Sequence, residues 1–364
     1  MNKELFYLHG FNLLPQFGPS RLGKICKNFQ NLKDAYTATE KSLIAAGIEA
    51  EHALIFIKHR ESLNLEKEAA GLENEGIKLL SYKDALYPKL LLEIPKLPPL
   101  LYYRGKMVDA QELCVAAVGT RKISTYGRTA VQDIITPLVE TGVTIVSGMA
   151  YGVDSEVHKI ATKNHKRTIA ILGGGLDDRS LYPKHHQLLA HEILENGGAL
   201  ISEYPPGTPC LKHHFVSRNR IISGMSVATI IIECGLKSGS LITARHALDQ
   251  NRQIFAVPGP IYSENSQGPN NLIKMGAKPV TEANDVLEEL NLKTLPQQEK
   301  AKDLFGDTPE ENTLLQILTK EPIHINNLIK QSGLSAADVT STLTFLEMKG
   351  KVRNLGGQQY ILSR

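Results

Sequence analysis

From Gly76 onward the chain alternates short apolar runs with stretches long enough for a crossover helix, and this alternation constrains the fold more than any other feature. The runs occupy 77–80, 114–118, 143–147, 168–172, 227–232 and 254–257, and helix-length stretches separate most of them at 126–140, 153–164, 184–196 and 240–250. Strands joined through a helix lie parallel, and strands covered by helices on both faces stay apolar along their length. The pattern predicts an α/β domain over 71–290 built on a doubly wound, mostly parallel sheet. Before it, residues 1–70 carry apolar residues at helical spacing (Leu43, Ile44, Ala46, Ile48, then Ala53, Leu54, Ile57), broken by Gly18-Pro19 and Gly47. An all-helical N-terminal domain is expected there. Residues 291–309 are polar and without period, which reads as a linker.

Residues 310–364 give three helical stretches at 310–319, 324–332 and 335–349, and then two short alternating runs around Gly356-Gly357. A glycine pair between such runs signals a hairpin, and three helices with a terminal hairpin outline a winged helix whose third helix, capped by Ser335, would be the recognition helix. Its six Lys/Arg against five Asp/Glu make it hardly basic. DNA contact and a protein-interaction module therefore both stay open, and any DNA contact would use Lys349, Lys351 and Arg353 where helix meets wing.

Composition enters as exclusion. With 42% apolar and 22% charged residues and 29 Gly and 18 Pro in 364, extended disorder and collagen-like order are excluded. There is no window of about 18 uncharged apolar residues, and Met1 to Phe11 lacks the regions of a signal peptide, so no membrane insertion and a cytoplasmic location are expected. Cys26, Cys114, Cys210 and Cys234 are far apart with no CxxC, which fits reduced, mostly buried thiols rather than a zinc site. His185, His186 and His191 match no metal spacing. Neither a metal nor a cofactor is expected. The net charge of +3 means that polyanion binding would need a local basic patch.

Such a patch is visible at the strand ends. The run 114–118 leads into Gly119-Thr120-Arg121-Lys122 with Ser124 and Arg128, where glycine lets backbone approach a ligand and helix-start N–H groups face an anion. Next come Ser147-Gly148-Met149-Ala150-Tyr151-Gly152-Val153-Asp154, with Asp154 read as a helix N-cap, and Gly173-Gly174-Gly175 after the following run. Glycine-rich loops at successive strand ends converge on the rim where open α/β sheets bind ligands. The GxGxxG pattern is missing, which leaves a nicotinamide cofactor weakly supported. Lys212-His213-His214-Phe215-Val216-Ser217-Arg218-Asn219-Arg220 adds three fixed cations, one aromatic and no acid. Guanidinium groups pair with phosphate oxygens and a phenylalanine face stacks on a base, so the mixture suits a single-stranded polynucleotide. In the competing structural reading Phe215 is core and Arg218 pairs with a carboxylate such as Glu203 or Glu233. Ser238-Gly239-Ser240 either opens a helix toward the same rim or makes a plain capped turn.

Taken in order, these segments resemble the bacterial DNA-processing protein A family (DprA/Smf). The resemblance is carried by Gly119-Thr120-Arg121 with Ser124 and Tyr126-Gly127, the Ser147–Asp154 loop, Leu172–Gly175, Ser202–Gly207, Phe215 with Arg218-Asn219-Arg220, Glu233 with Ser238-Gly239-Ser240, Thr243-Ala244 and Pro258-Gly259. It covers about 76–290. One departure is Val216, where the family often has proline. The resemblance implies an extended Rossmann-like domain between a sterile-alpha-motif-like or helix-hairpin-helix-like N-terminus and a C-terminal winged helix. It implies a binding protein rather than an enzyme, one that protects incoming single-stranded DNA in natural transformation and loads the RecA recombinase onto it as a homodimer. The implied nucleic-acid-binding residues are Gly119, Thr120, Arg121, Ser147, Gly148, Lys212, Phe215, Arg218, Asn219 and Arg220. Two other readings compete: a nucleoside-monophosphate phosphoribohydrolase with Glu233 as its catalytic carboxylate, though its PGGxGT-type loop is missing, and a double-stranded DNA regulator acting through the winged helix.

Overall fold

The computed structural model of the chain describes residues 4–109, 111–292, 306–319 and 321–362. It divides into two compact units, 1–292 and 293–364. Six helices open the first: α1 (Glu4–Asn12), α2 (Pro19–Asn28), α3 (Leu32–Thr37), α4 (Glu40–Ala45), α5 (Ala50–Ser62) and α6 (Leu65–Asn74). Asn31, Thr39 and Asn64 start three of them by accepting N–H bonds from the first turn. Phe11 stacks on Phe56 with ring centroids 3.8 Å apart. Around that pair Leu8, Phe17 and Ile25 join one continuous apolar cluster with Tyr102, Leu172 and Leu200 of the sheet and Met149 of the loop after β4. The expected boundary at 70/71 falls inside α6 and marks no break between cores, because the helices bury their apolar faces on the sheet.

The sheet is built from β1 (Lys78–Ser81), α7 (Lys89–Leu92), β2 (Leu100–Gly105), β3 (Cys114–Val118), α8 (Thr125–Glu140), β4 (Thr144–Ser147), α9 (Val153–Lys163), β5 (Thr168–Leu172), α10 (Gln187–Glu195), β6 (Ala199–Ser202), α11 (Lys212–Gly224), β7 (Ala228–Ile231), α12 (Gly239–Asp249), β8 (Gln253–Ala256), α13 (Glu264–Lys274), β9 (Lys278–Pro279) and α14 (Ala283–Glu289). Its nine strands run in the order β1-β2-β6-β5-β4-β3-β7-β8-β9, parallel except that β2 is antiparallel to both β1 and β6. Successive residues of β5 serve opposite faces: Ala170 and Leu172 meet the N-terminal helices, while Ile169 and Ile171 pack with Ile221 and Ile222 of α11. Every run read as a strand is one. The reading lacked β2, β6 and β9.

Strand order reverses at β3, which lies between β4 and β7. The loops after β3, β4 and β7 leave the strands' C-terminal ends around that switch point, the position where open α/β sheets bind ligands.

The second unit consists of α15 (Pro309–Ile317), β10 (Ile323–His324), α16 (Ile325–Ser332), α17 (Ala336–Met348), β11 (Val352–Gly356) and β12 (Gln359–Leu362). Ser335 caps α17 by accepting the Asp338 N–H, and Gly356 and Gly357 turn the hairpin with φ of 86° and 59°. Leu314, Leu328, Val339, Leu343 and Leu346 fill its core. Most of the expected linker, 293–305, lies outside the described residues.

Among the described residues no helix is long and apolar enough to cross a membrane.

Candidate nucleic-acid interface

The segment Lys212–Arg220 folds as the start of α11, and helical geometry sorts its side chains. His214, Arg218, Ile221 and Ile222 share the face turned into the protein, whereas Lys212, His213 and Val216 are exposed. Phe215 is half-buried between these faces. The Arg121 guanidinium carbon lies 4.9 Å from its ring centroid and that of Arg218 5.0 Å. The Tyr182 ring meets it edge-on at 5.7 Å. Arg121 comes from the loop after β3, so the structure brings together two segments read separately in the sequence. Arg121, Lys122 and Lys212 are exposed, and none has a carboxylate partner among the described residues.

Arg218 has a different position. It is buried, its Nη1 donates to the carbonyls of Gly148 and Ile171 (2.6 Å to the latter), and its Nη2 is 3.8 Å from Asp154 Oδ2. Burial pushes the Asp154 carboxyl above the usual carboxylate range, while Arg218 and the backbone N–H groups of Ala150, Gly119 and Gly148 pull it back. Burial likewise lowers the Arg218 guanidinium, and Asp154 opposes this. Arg218 is thus a strut from α11 to the loop after β4 and to the end of β5, and Asp154 alone reaches the loop after β3, through the Gly119 N–H. The pair explains Gly148, where a Cβ would sit 2.3 Å from Arg218 Nη2 and 2.7 Å from Asp154 Oδ2. It also corrects the reading of Asp154 as an N-cap: Gly152 holds that position, and Asp154 lies in the first turn of α9. Gly152 has φ of 78°, and a Cβ there would come within 2.2 Å of the Thr120 carbonyl, so the first two loops touch backbone to backbone. The Val153 N–H donates to the same carbonyl at 3.1 Å.

Other residues read as ligand contacts are occupied within the fold. The buried Ser147 hydroxyl donates to the Ala117 carbonyl at 2.7 Å, which ties β4 to β3. Arg220 is buried and paired with Glu203 through Nη2 and Oε1, so the carboxylate pairing considered for Arg218 is made by Arg220 with Glu203 and by Arg218 with Asp154. Asn219 is half-buried and its amide donates to the Gly239 carbonyl at 3.3 Å. The Thr120 N–H donates to the Glu233 carbonyl at 2.6 Å, and the Gly119 carbonyl accepts from Ser240 Oγ at 2.7 Å. Ser238 does open α12, its side chain accepting the Ser240 N–H. The Glu233 carboxylate is buried and accepts from Ser124 N (2.9 Å) and Ser124 Oγ (2.5 Å), which makes it the bracket of the first loop. In the small unit Lys349 Nζ is held by Asp307 (2.7 Å) and Glu311 (2.6 Å), against the expectation that it meets phosphate, while Lys351 and Arg353 are half-buried. The third helix shows solvent Phe345 and Met348 rather than a cationic row.

The sequence reading missed Tyr182 and the role of Asp154. Helical period was the signal available for Arg218, since it recurs with His214, Ile221 and Ile222. Nothing in the sequence marks Tyr182, which reaches Phe215 only through the path of the loop after β5.

A doubly wound domain with an aromatic and basic cluster at its strand ends, followed by a winged helix, defines a Rossmann-type protein with an appended winged-helix module. Residues 78–291 match the family model described as DNA recombination-mediator protein A, and 298–358 match the DprA winged helix domain. The chain belongs to the DNA recombination-mediator protein A family. It is 36% identical to Protein Smf of Escherichia coli strain K12 over 83% of this chain and 82% of that one. It is 41% identical to the DNA processing protein DprA of Streptococcus pneumoniae over 60% of this chain and 77% of that one. An X-ray structure of DprA from Streptococcus pneumoniae superposes with a TM-score of 0.67 at 33% identity, covering 79% of this chain and 98% of that one. DNA processing protein A from Helicobacter pylori, whose structure is described for its unique single-stranded DNA binding mode, gives 0.52 at 29% identity over 59% and 95%.

Proposed function

We propose that this chain binds single-stranded DNA along the strand-end rim, protects it during natural transformation and delivers it to the RecA recombinase, working as a homodimer and not as an enzyme. The observation that carries the binding step is the half-buried Phe215 with the unpaired Arg121 resting on it. Arg121 can leave the ring for a phosphate oxygen, and the uncovered face then stacks on a base, a contact worth about 1–3 kcal/mol per base. Lys122 and Lys212 add two further phosphate contacts, while the main chain of Gly119 and Thr120 and the amide of Asn219 border the track. Gly148, Ser147, Arg218 and Arg220 hold the loops that shape it. The binding mode described for the Helicobacter pylori protein supports the ligand class. Cytoplasmic location follows from a role with RecA.

Fluorescence anisotropy with single- and double-stranded oligonucleotides at two salt concentrations tests the binding step. Single strands should bind more tightly, with affinity falling as salt rises. Stimulation of RecA filament growth on protein-coated strands tests delivery. Release of ribose 5-phosphate from AMP would instead favour the phosphoribohydrolase reading.

A further inference from the structure

A cleft of about 840 Å³ opens between the N-terminal helices and the loops that follow β5 and β6. One wall carries Glu68 and Glu75 from α6 and its adjoining turn, with the buried His9 behind them; the other carries Arg179, Tyr182 and Lys184, and the buried Asp177 there is occupied by the Gly207 and Ser180 N–H groups. Three observations point to a ligand. First, His9 is 1% exposed and its Nε2 has no hydrogen-bond partner among the described residues. The Asn12 amide donates to the Tyr102 hydroxyl at 3.1 Å and to the Glu203 carbonyl at 2.9 Å, so the Tyr102 proton goes to His9 Nδ1 at 2.8 Å. His9 Nε2 therefore bears its hydrogen, and it faces Glu68 Oε2 across 4.0 Å, beyond hydrogen-bond reach. A buried donor left in this way calls for an acceptor from outside the chain. Second, Arg179 and Lys184 are exposed and without a carboxylate partner among the described residues. Third, Tyr182 belongs to both places, since it lines the cleft and its ring meets Phe215 edge-on at 5.7 Å.

We propose that the cleft takes a nucleotide of the same strand that crosses Phe215, with its phosphate on Arg179 and Lys184 and its base turned to the helical wall. The carboxylates dictate this orientation: they repel phosphate but accept base N–H groups, and His9 Nε2–H supplies a donor to a ring nitrogen or carbonyl oxygen of the base. Tyr182 passes the strand from one position to the other. The N-terminal helices thereby become part of the binding track. The proposal rests on the single-strand reading given above.

Anisotropy with oligonucleotides of about 4 and about 12 nucleotides, titrated with the full-length chain, its Arg179→Ala/Lys184→Ala variant and its Arg121→Ala variant, tests the proposal. Both cleft positions are exposed, so folding is not at stake. The cleft variant should bind the short oligonucleotide as the unaltered chain does. It should bind the long one about tenfold more weakly, with the log–log salt slope shallower by roughly 0.7 for the one lost phosphate contact. If the cleft variant matches the unaltered chain on the long oligonucleotide while Arg121→Ala weakens it, the cleft inference falls and the single-strand reading stands. If the unaltered chain binds neither oligonucleotide, both fall. Binding of dGMP lost in the cleft variant yet insensitive to saturating long oligonucleotide would show a separate small-ligand site and would also overturn the proposal.

Discussion

Alanine at Arg121 and alanine at Arg218 should have opposite consequences, although both guanidinium carbons lie within 5.0 Å of the Phe215 ring centroid. Arg121 is exposed and pairs with no carboxylate among the described residues, so its removal leaves no buried group there without a partner. Its loss should flatten the log–log salt slope of single-strand binding by about 0.7, the value of one phosphate contact, with the thermal transition of the sheet unit unmoved. Arg218 is buried beside Asp154 and bonded to the carbonyls of Gly148 and Ile171. Its loss strands a buried carboxylate and two carbonyls, which costs about 3–5 kcal/mol. In a unit of this size that lowers the melting temperature by roughly 5–15 °C. Binding by Arg218→Ala should weaken because the loop after β4 loses its tie to α11, yet at a temperature where the variant is folded the salt slope should keep its original value. Circular dichroism melts beside anisotropy at 50 and at roughly 200 mM salt measure both quantities. Equal melting temperatures for the two variants, with the slope falling only in Arg218→Ala, would refute the division into contact and strut.

Phe215→Ala should weaken single-strand binding about 5- to 150-fold, the range of one lost stack, at unchanged salt slope; a large loss of melting temperature instead would return the ring to the core. Glu233→Gln replaces an oxygen that accepts the Ser124 N–H or hydroxyl by an amide donor, so stability should fall by about 1–3 kcal/mol, while neither form releases base from AMP in a coupled assay. Burial holds His9 down to about 4 and His158 down to about 3. Both folded-state values lie below the ordinary 6.5, so the unfolded chain binds more protons between the two and stability is lost as pH falls below about 6.5, by about 1.4 kcal/mol per pH unit for each histidine. Melts from pH 7.5 to 5 read this, and a flat profile would contradict it. Truncation after Leu292 should keep most single-strand affinity in anisotropy, since Lys349 of the winged helix is already held by two carboxylates; a folded truncation that binds nothing would move the main site to the small unit.

What the sequence by itself determined is what local rules determine. Apolar runs with helix-length gaps specify parallel strands and crossover helices, glycines at 119, 148 and 152 specify loops that touch, and Gly356-Gly357 specifies the hairpin of a winged helix. Motif order was enough for the family because it needs no distances. Tertiary structure alone decided which charges meet solvent. Lys212, Arg218 and Arg220 have the same sign within nine residues, but only their phase on α11 and the positions of Asp154 and Glu203 make one a surface cation and two buried partners. Likewise, no pattern within residues 4–74 shows that α1 and α6 form a wall of a cleft, because that wall exists only once the helices have buried Leu8, Phe11 and Leu72 against the sheet's own cluster. Burial depends on partners far apart in the chain, and a linear reading of spacing does not contain them.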